Sequence, residues 1–406
     1  MSVYVLNNND VTSIVAKTYT QLTGAEIIGT VNLKGLIGLG NEAGILESKD
    51  AFLKTLANVM YDRIYTTDRD LMITENNVFY VDSNEWGGIL AAVDVDIPST
   101  LIPNRSWNEM TSGVTTLGTS TAYLPTVTEK LYGPSISYSL PMTVSHSMMK
   151  TAFKGEEDML KFMNAVYVAC RNAVKEYHLG LDRANRNNYM AELISYAGSV
   201  GATGIHVIDL NALYQATVGN DSTSVTREEF LNTAACMIFA AETIDEYRGY
   251  LEEPSVLFNV EGKDRFVPEG EVVVQVLRKF EKRLEYEVKS DTYHKNIVAL
   301  PNHRTVTAWQ GFGTGTTFDE LSAINVKTTD NVSVSKDGIV AFMCHPYAIM
   351  HRIMQERVAA KYYDFEDATQ TEWQFVDQYA NHLGLPAIVF VIDDYTVTPV
   401  IDTTPY

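Results

Sequence analysis

Positive charge is in short supply. Lys and Arg number 31 against 51 Asp and Glu, which leaves a formal net charge of −20. That deficit excludes a chain-wide basic footprint for nucleic acid and a cationic membrane-surface protein. Cysteine is scarcer still, with only Cys170, Cys236 and Cys344 in 406 residues. Three cannot all pair within one chain, no CxxC or Cys/His spacing surrounds them, and each sits in an apolar stretch. The expectation is three buried free thiols in a reducing setting. Long apolar runs are missing too: the strongest, 383–392, is about half of what a membrane span needs. The N-terminus reads Met1-Ser2-Val3-Tyr4 and reaches its first basic residue at Lys17. It lacks the basic start and apolar run of a signal peptide. A soluble chain synthesised in a cytoplasm, with no membrane partner, is therefore expected. What is present is a folded composition, 46% apolar and 20% charged, with length for two to three domain equivalents.

Along the chain the periodicity changes several times. Asp10 can cap a short helix carrying Ile14, Val15, Tyr19 and Leu22, and glycines then recur at 29, 35, 38, 40 and 44. A segment this poor in large side chains reads as an arm. Over 48–65, Phe52, Leu53, Leu56, Val59, Met60 and Ile64 form one helical stripe. From 74 to 138 the helical period is lost. The runs 78–81 and 89–93 read as strands, and Pro98, Pro103, Pro125 and Pro134 interrupt the stretch beyond them. This is the pattern of an extended hairpin or lobe with little core of its own.

From 155 to 195 there is no proline and, after Gly155, one glycine, Gly180. Phe162, Val166, Ala169, Cys170, Ala173, Val174, Tyr177 and Leu181 continue one stripe. The spacing predicts a helix of some forty residues, about 60 Å long, with Gly180 as a point where it could bend. Globular helices average about a dozen residues, so such a rod spans a molecule. The remainder reads as mixed α/β. Strands are expected over 205–210, 256–260, 298–300, 305–309, 339–344 and 387–392. A capping box at Thr226–Glu229 is expected to open a helix through Phe230, Ala234, Ile238, Ala241 and Ile244. Further helices are expected over 271–288 and 347–360. The fold class is α+β.

Catalytic signatures are weak. GFGTG at 311–315 has the wrong glycine spacing for a dinucleotide site and no Lys-Ser/Thr after it, so it reads as a loop. AGSVG at 197–201 resembles a serine elbow around Ser199, but a helix precedes it and a strand comes after, the reverse of the order that motif needs. The eight histidines show no HExxH or other local metal spacing. Asp393 and Asp394 are adjacent on a strand end and read as solvated acids. The sequence thus offers no catalytic, cofactor or metal constellation.

The order of parts is more informative: arm, extended β lobe, one very long helix, α/β insertion, closing strands. With MMKTAFKGEEDMLKFM at 148–163 leading into the long helix, GIVAFMCHPY at 338–347 and LPAIVFVI at 385–392, the chain resembles the major capsid proteins of tailed bacteriophages, the Hong Kong 97-type fold, and in particular those of short-tailed phages. The resemblance covers nearly the whole chain. It implies an N-terminal arm and helix at 1–73, an extended β loop at 74–140 and a spine helix at 141–197 within the peripheral domain. The axial domain would be 198–337, and 338–406 would close the peripheral domain.

By the same resemblance the chain would be a structural protein and not an enzyme. It would self-assemble as hexamers and pentamers into an icosahedral shell around double-stranded DNA, assembled in a host cytoplasm with scaffold and portal proteins as partners. Ring contacts are heterologous, and Trp86, Arg105, Trp107, Tyr123 and Tyr132 are the expected inter-subunit residues in the lobe. An acidic inner wall would repel packed DNA and let it slide. Some relatives lock their shells with a lysine–asparagine bond from the extended loop. No lysine lies between Lys54 and Lys130, so no such crosslink is expected. An encapsulin-like compartment and a hydrolase using Ser199 are the competing readings.

Overall fold

The computed structural model describes residues 91–96, 126–132, 135–145, 156–201, 205–218, 224–291, 300, 302–311, 315–328, 331–363 and 368–396. The expected arm and helix of 1–73, and the strand expected at 78–81, lie outside these residues.

A five-stranded mixed sheet forms the centre. Its strands are β4 (Val207–Asp209), β5 (Val273–Leu277), β6 (Arg304–Val306), β9 (Ile339–Cys344) and β12 (Ala387–Val391), in the order β4-β12-β9-β5-β6. Strand β9 lies between two antiparallel neighbours, β12 and β5, while the outer pairs β12–β4 and β5–β6 are parallel. Every residue of β5, β9 and β12 is buried. Continuous apolar runs, not alternating ones, are what a sheet covered on both faces requires.

Helix α1 (Glu156–Val200) runs unbroken through Gly180 for 45 residues, about 67 Å at the standard rise. Its C-terminal part supplies Tyr189, Met190, Ala191, Leu193 and Ala197 to the core. Around it lie α2 (Leu210–Thr217), α3 (Arg227–Leu231), α4 (Ala234–Glu252), α5 (Arg278–Asp291) and α6 (Phe318–Ser322), with a small hairpin of β7 (Ile324–Lys327) and β8 (Ser333–Lys336).

Between β9 and β12 the chain leaves the core as a long hairpin, β10 (Ile349–Tyr363) and β11 (Ala368–Asn381). Its base is stitched by His345 N–H to Pro386 O at 3.0 Å and His382 N–H to Ala348 O at 2.7 Å. Strand β3 (Ile136–Ser145) adds antiparallel to β11, giving a three-stranded sheet, and β1 (Ala91–Asp96) pairs with β2 (Thr126–Leu131).

Several expectations change. The capping box at Thr226 forms, but the helix it opens ends at Leu231, Asn232 caps it, and α4 starts afresh at Ala234. Residues 256–260 are not a strand. The Asn259 side chain donates to Ser255 O and Lys263 O and accepts from Lys263 N–H, holding a loop. The helix expected from 271 starts only at Arg278, because the run Val273–Leu277 is a strand. Val272, Val276, Phe280 and Leu284 fall at four-residue spacing, yet β-branched residues in succession fit a two-faced strand better. The largest change is 347–360, expected as helix and found as strand: fourteen residue pairs join β10 to β11, and that tertiary pairing overrides local spacing.

Cys236 and Cys344 are buried free thiols as expected; the Cys170 side chain lies outside the described residues. Among the described residues no helix is long and apolar enough to cross a membrane.

Candidate functional site

Helix α1 meets two sheets, and each meeting has its own chemistry. Toward the five-stranded sheet, Arg186 is buried. It donates to Trp309 O at 2.9 Å and to Gln275 Oε1 at 3.3 Å, and its guanidinium lies 4.9 Å from the centre of the Trp309 ring. Asn187 Nδ2 donates to the same carbonyl at 3.1 Å, and Trp309 Nε1 donates to Ile339 O at 2.8 Å. Burial pulls Arg186 down to about 9, still charged at neutral pH. One guanidinium thus ties the rod to β5 and to the chain beyond β6.

Toward the three-stranded sheet, α1 presents His178 and Asp182. Strand β3 contributes Tyr138, β10 contributes His351, and β11 contributes Asp377 and Tyr379. The register places Tyr138 opposite Phe375 and His351 opposite Tyr379. The Tyr138 hydroxyl donates to Asp377 Oδ2 at 2.6 Å and lies 3.0 Å from His178 Nε2. His178 Nδ1 is 3.5 Å from Asp377 Oδ2, and His351 Nε2 is 3.6 Å from the same oxygen. His351 Nδ1 pairs with Asp182 Oδ1 at 3.2 Å. Aromatic rings wall the cluster: Tyr138 stacks on Phe375 at 5.1 Å, and His351 on Tyr379 at 4.3 Å.

These surroundings split the two imidazoles. Burial lowers His178, against the opposing pull of Asp377. Burial acts the same way on His351, but hydrogen bonds and charge from Asp182 and Asp377 overcome it and raise that ring to about 9. Burial, reinforced by Asp377, pushes the Tyr138 hydroxyl far up, so it is a neutral donor. No sequence signal marks this cluster, because its members come from four elements far apart in the chain.

Side chains alternate over the middle of β3, 137–143. Tyr138, Leu140 and Met142 are half-buried on the helix side, while Ser137, Ser139, Pro141 and Thr143 face out. Strands β3 and β10 are the sheet's two edges among the described residues. Exposed apolar side chains occur on β2 and at the start of β3, with Val127 61%, Leu131 63% and Ile136 43% accessible.

Of the residues expected at subunit contacts, Tyr132 is described: its carbonyl accepts from Gln378 Nε2 at 2.9 Å, and its ring lies 6.0 Å from that of His382 in the same chain. Trp86, Arg105, Trp107 and Tyr123 lie outside the described residues. Lys130 pairs with Glu261.

The other motifs resolve simply. Helix α1 runs through Ser199, whose hydroxyl donates to Tyr196 O at 2.9 Å, so no strand–serine–helix elbow exists there. Gly311 and Gly315 flank residues outside the described set. The next helix, α6, has its N-terminus filled by its own capping box of Thr317 and Glu320, with no room for a phosphate. Asp393 and Asp394 are not simply solvated. Asp393 pairs with Lys336 and lies 3.6 Å from Arg227, and Asp394 accepts from Arg227 N–H at 2.7 Å. Arg227 also binds Asp319 at 2.6 Å, Asp337 at 3.0 Å and Ile392 O at 2.6 Å. Gly338, at φ +74°, permits this: a Cβ there would meet Ile392 O at 2.4 Å and the guanidinium at 2.8 Å.

Among the described residues, buried polar groups clamp a long helix to two sheets, and the outer strands of the smaller sheet have no further strand beside them. The chain belongs to the Phi29-like phage major capsid protein family, whose model matches residues 50–391. It is thus a bacteriophage major capsid protein.

Among solved structures it is similar to one from the capsid of Staphylococcus phage Andhra, with 9% identity, TM-score 0.45, and coverage of 77% of this chain and 82% of that one. A second comes from a structure of the head fiber and inner core protein gp22 of native bacteriophage P68, at 11% identity, TM-score 0.47, and coverage of 77% and 83%. A third is from the asymmetric unit of the bacteriophage PhiM1 mature capsid, at 12% identity, TM-score 0.39, and coverage of 79% and 86%. No curated protein sequence matches the chain.

Proposed function

We propose that this protein has the Hong Kong 97-type fold and builds an icosahedral shell of hexamers and pentamers that encloses a double-stranded DNA genome. The observation that carries this reading is the family match over residues 50–391. The geometry adds support. Among the described residues, a 45-residue helix lies against a three-stranded sheet whose outer strands have no further strand beside them. Such a surface is completed by the next copy in a ring, where two different faces meet.

In this reading the partition is arm 1–73, extended loop 74–140, spine 141–197, axial domain 198–337 and closing peripheral segment 338–406. The exposed Val127, Leu131 and Ile136 lie where the loop joins the sheet and would pack on a sibling, together with Trp86, Arg105, Trp107, Tyr123 and Tyr132. Scaffold and portal proteins are the expected partners, and the virion is the destination, with assembly in the host cytoplasm. The net charge of −20 suits a wall that holds DNA without gripping it. The role is structural and not enzymatic.

Electron microscopy of the expressed full chain, with and without its scaffold, tests the reading. Closed shells with five- and six-fold clusters are expected. Particles without closed symmetry, or a monodisperse monomer under every assembly condition, would contradict it.

A further inference from the structure

We propose that His178, His351 and Asp377 form a binding site for a divalent transition-metal cation of the zinc type, which fastens helix α1 to strands β10 and β11. Three ligand atoms, one from each residue, lie within 4.8 Å of one another. His178 Nδ1 and His351 Nε2 stand 3.5 and 3.6 Å from Asp377 Oδ2. Ligands about 2.0–2.1 Å from a tetrahedral zinc are about 3.3–3.4 Å apart, so both imidazole-to-carboxylate separations need only a small contraction, while the two imidazole nitrogens, within 4.8 Å of each other, would draw closer on binding.

The hydrogen bonds fix what those atoms present. The Tyr138 hydroxyl gives its proton to Asp377, so the nearby His178 Nε2 acts as donor to the phenol oxygen, and Nδ1 carries the lone pair. His351 gives Nδ1–H to Asp182, and its Nε2 faces the same carboxylate oxygen, toward which the metal-free ring holds its second proton. His178 Nδ1, His351 Nε2 and Asp377 Oδ2 thus face one point, where a cation would take the place of the proton that His351 otherwise holds toward Asp377. Asp377 is wholly buried, and its Oδ1 makes no hydrogen bond.

Surrounding groups have the roles expected around a bound metal. Asp182 orients one ligating imidazole, and Tyr138 holds the ligating carboxylate. Charge balances as well. A divalent ion offsets Asp182 and Asp377 with both imidazoles neutral, whereas a single proton on His351 offsets only one of them. A set of two nitrogens and one oxygen suits zinc and its first-row neighbours better than calcium or magnesium, which take all-oxygen sites. The proposal is independent of shell assembly: metal uptake and particle formation fail separately.

The test uses the full-length protein, stripped with a chelator, confirmed folded by circular dichroism, then titrated with Zn²⁺ and, for its spectrum, with Co²⁺. Expected are about one ion per chain and the intense visible bands of tetrahedral cobalt. Both should be lost in His178→Ala and His351→Ala. Asp182→Asn keeps all three ligands and loses only the orienting partner, so it should bind about 10–100-fold more weakly. Folded wild-type protein that takes up neither ion at micromolar concentration, or cobalt bands that persist in the double variant His178→Ala/His351→Ala, would overturn the site. In either event the cluster is a proton-held clamp.

Discussion

The two sheets that flank helix α1 differ in how much of their surface the chain itself covers. In the five-stranded sheet β5, β9 and β12 are buried on both faces, and Phe342 and Phe390 are fully enclosed. In the three-stranded sheet, β3 alternates between a half-buried helix side and an open side, and both edges are free among the described residues. The first sheet is finished by its own subunit. The second is held to the rod by polar contacts, chiefly the Tyr138–His178–Asp377–His351 cluster, and has a face to offer. One helix thus links a core that the chain itself covers to a sheet with an exposed strand face.

Substitutions can break or sharpen this contrast. The largest effect is expected from Phe342→Ala on β9. Removing a fully buried ring from a two-faced sheet should cost about 3–5 kcal/mol of unfolding free energy by denaturant titration. Next is Tyr138→Phe, which leaves the Asp377 carboxylate short of a buried donor and should cost about 1–3 kcal/mol. The loss should be seen as faster hydrogen exchange in 136–145, with exchange in 339–344 unchanged. An equal acceleration in both segments would erase the distinction between the sheets.

A smaller effect attaches to the Arg227 network at the rim of the core. A hydrogen bond from Arg227 holds Asp337 below the usual carboxylate range, outweighing its desolvation. A depressed carboxyl contributes stability above its unfolded pKa and loses it as pH falls through the lowered folded value. Since Asp337 is 54% exposed, the contribution is under about 1 kcal/mol. Arg227→Gln should flatten this part of the acid-denaturation profile. Smallest for the isolated chain is Val127→Ser, expected within about 0.5 kcal/mol because the side chain is already in solvent. Its effect should instead be on assembly, as a raised critical concentration for particle formation measured by light scattering.

Legibility in the sequence divides along the same line. The rod is legible because its apolar stripe continues without proline. Strands 339–344 and 387–392 are legible because short, continuous apolar runs bounded by turns fit a doubly covered sheet. The hairpin of β10 and β11 is not. Ile349, Ile353 and Met354 fall at helical spacing, and only pairing with a distant partner makes 349–363 a strand. The capping boxes can be seen locally, but not that the helix from Thr226 stops within two turns at Asn232. The histidine cluster leaves no trace in local spacing. His178 comes from the rod, His351 and Asp377 from opposite strands of a hairpin, and nothing short of the folded register brings them together.

Hydrogen exchange on free subunits and on purified shells, compared segment by segment, tests most directly whether the three-stranded sheet is the surface that siblings complete. Assembly is expected to slow exchange strongly in 136–145 and 349–363, while 339–344 and 387–391, already enclosed, stay unchanged. Equal protection of both sheets in the free subunit, with no gain at β3 and β10 in the shell, would contradict the division between a finished core and an open sheet.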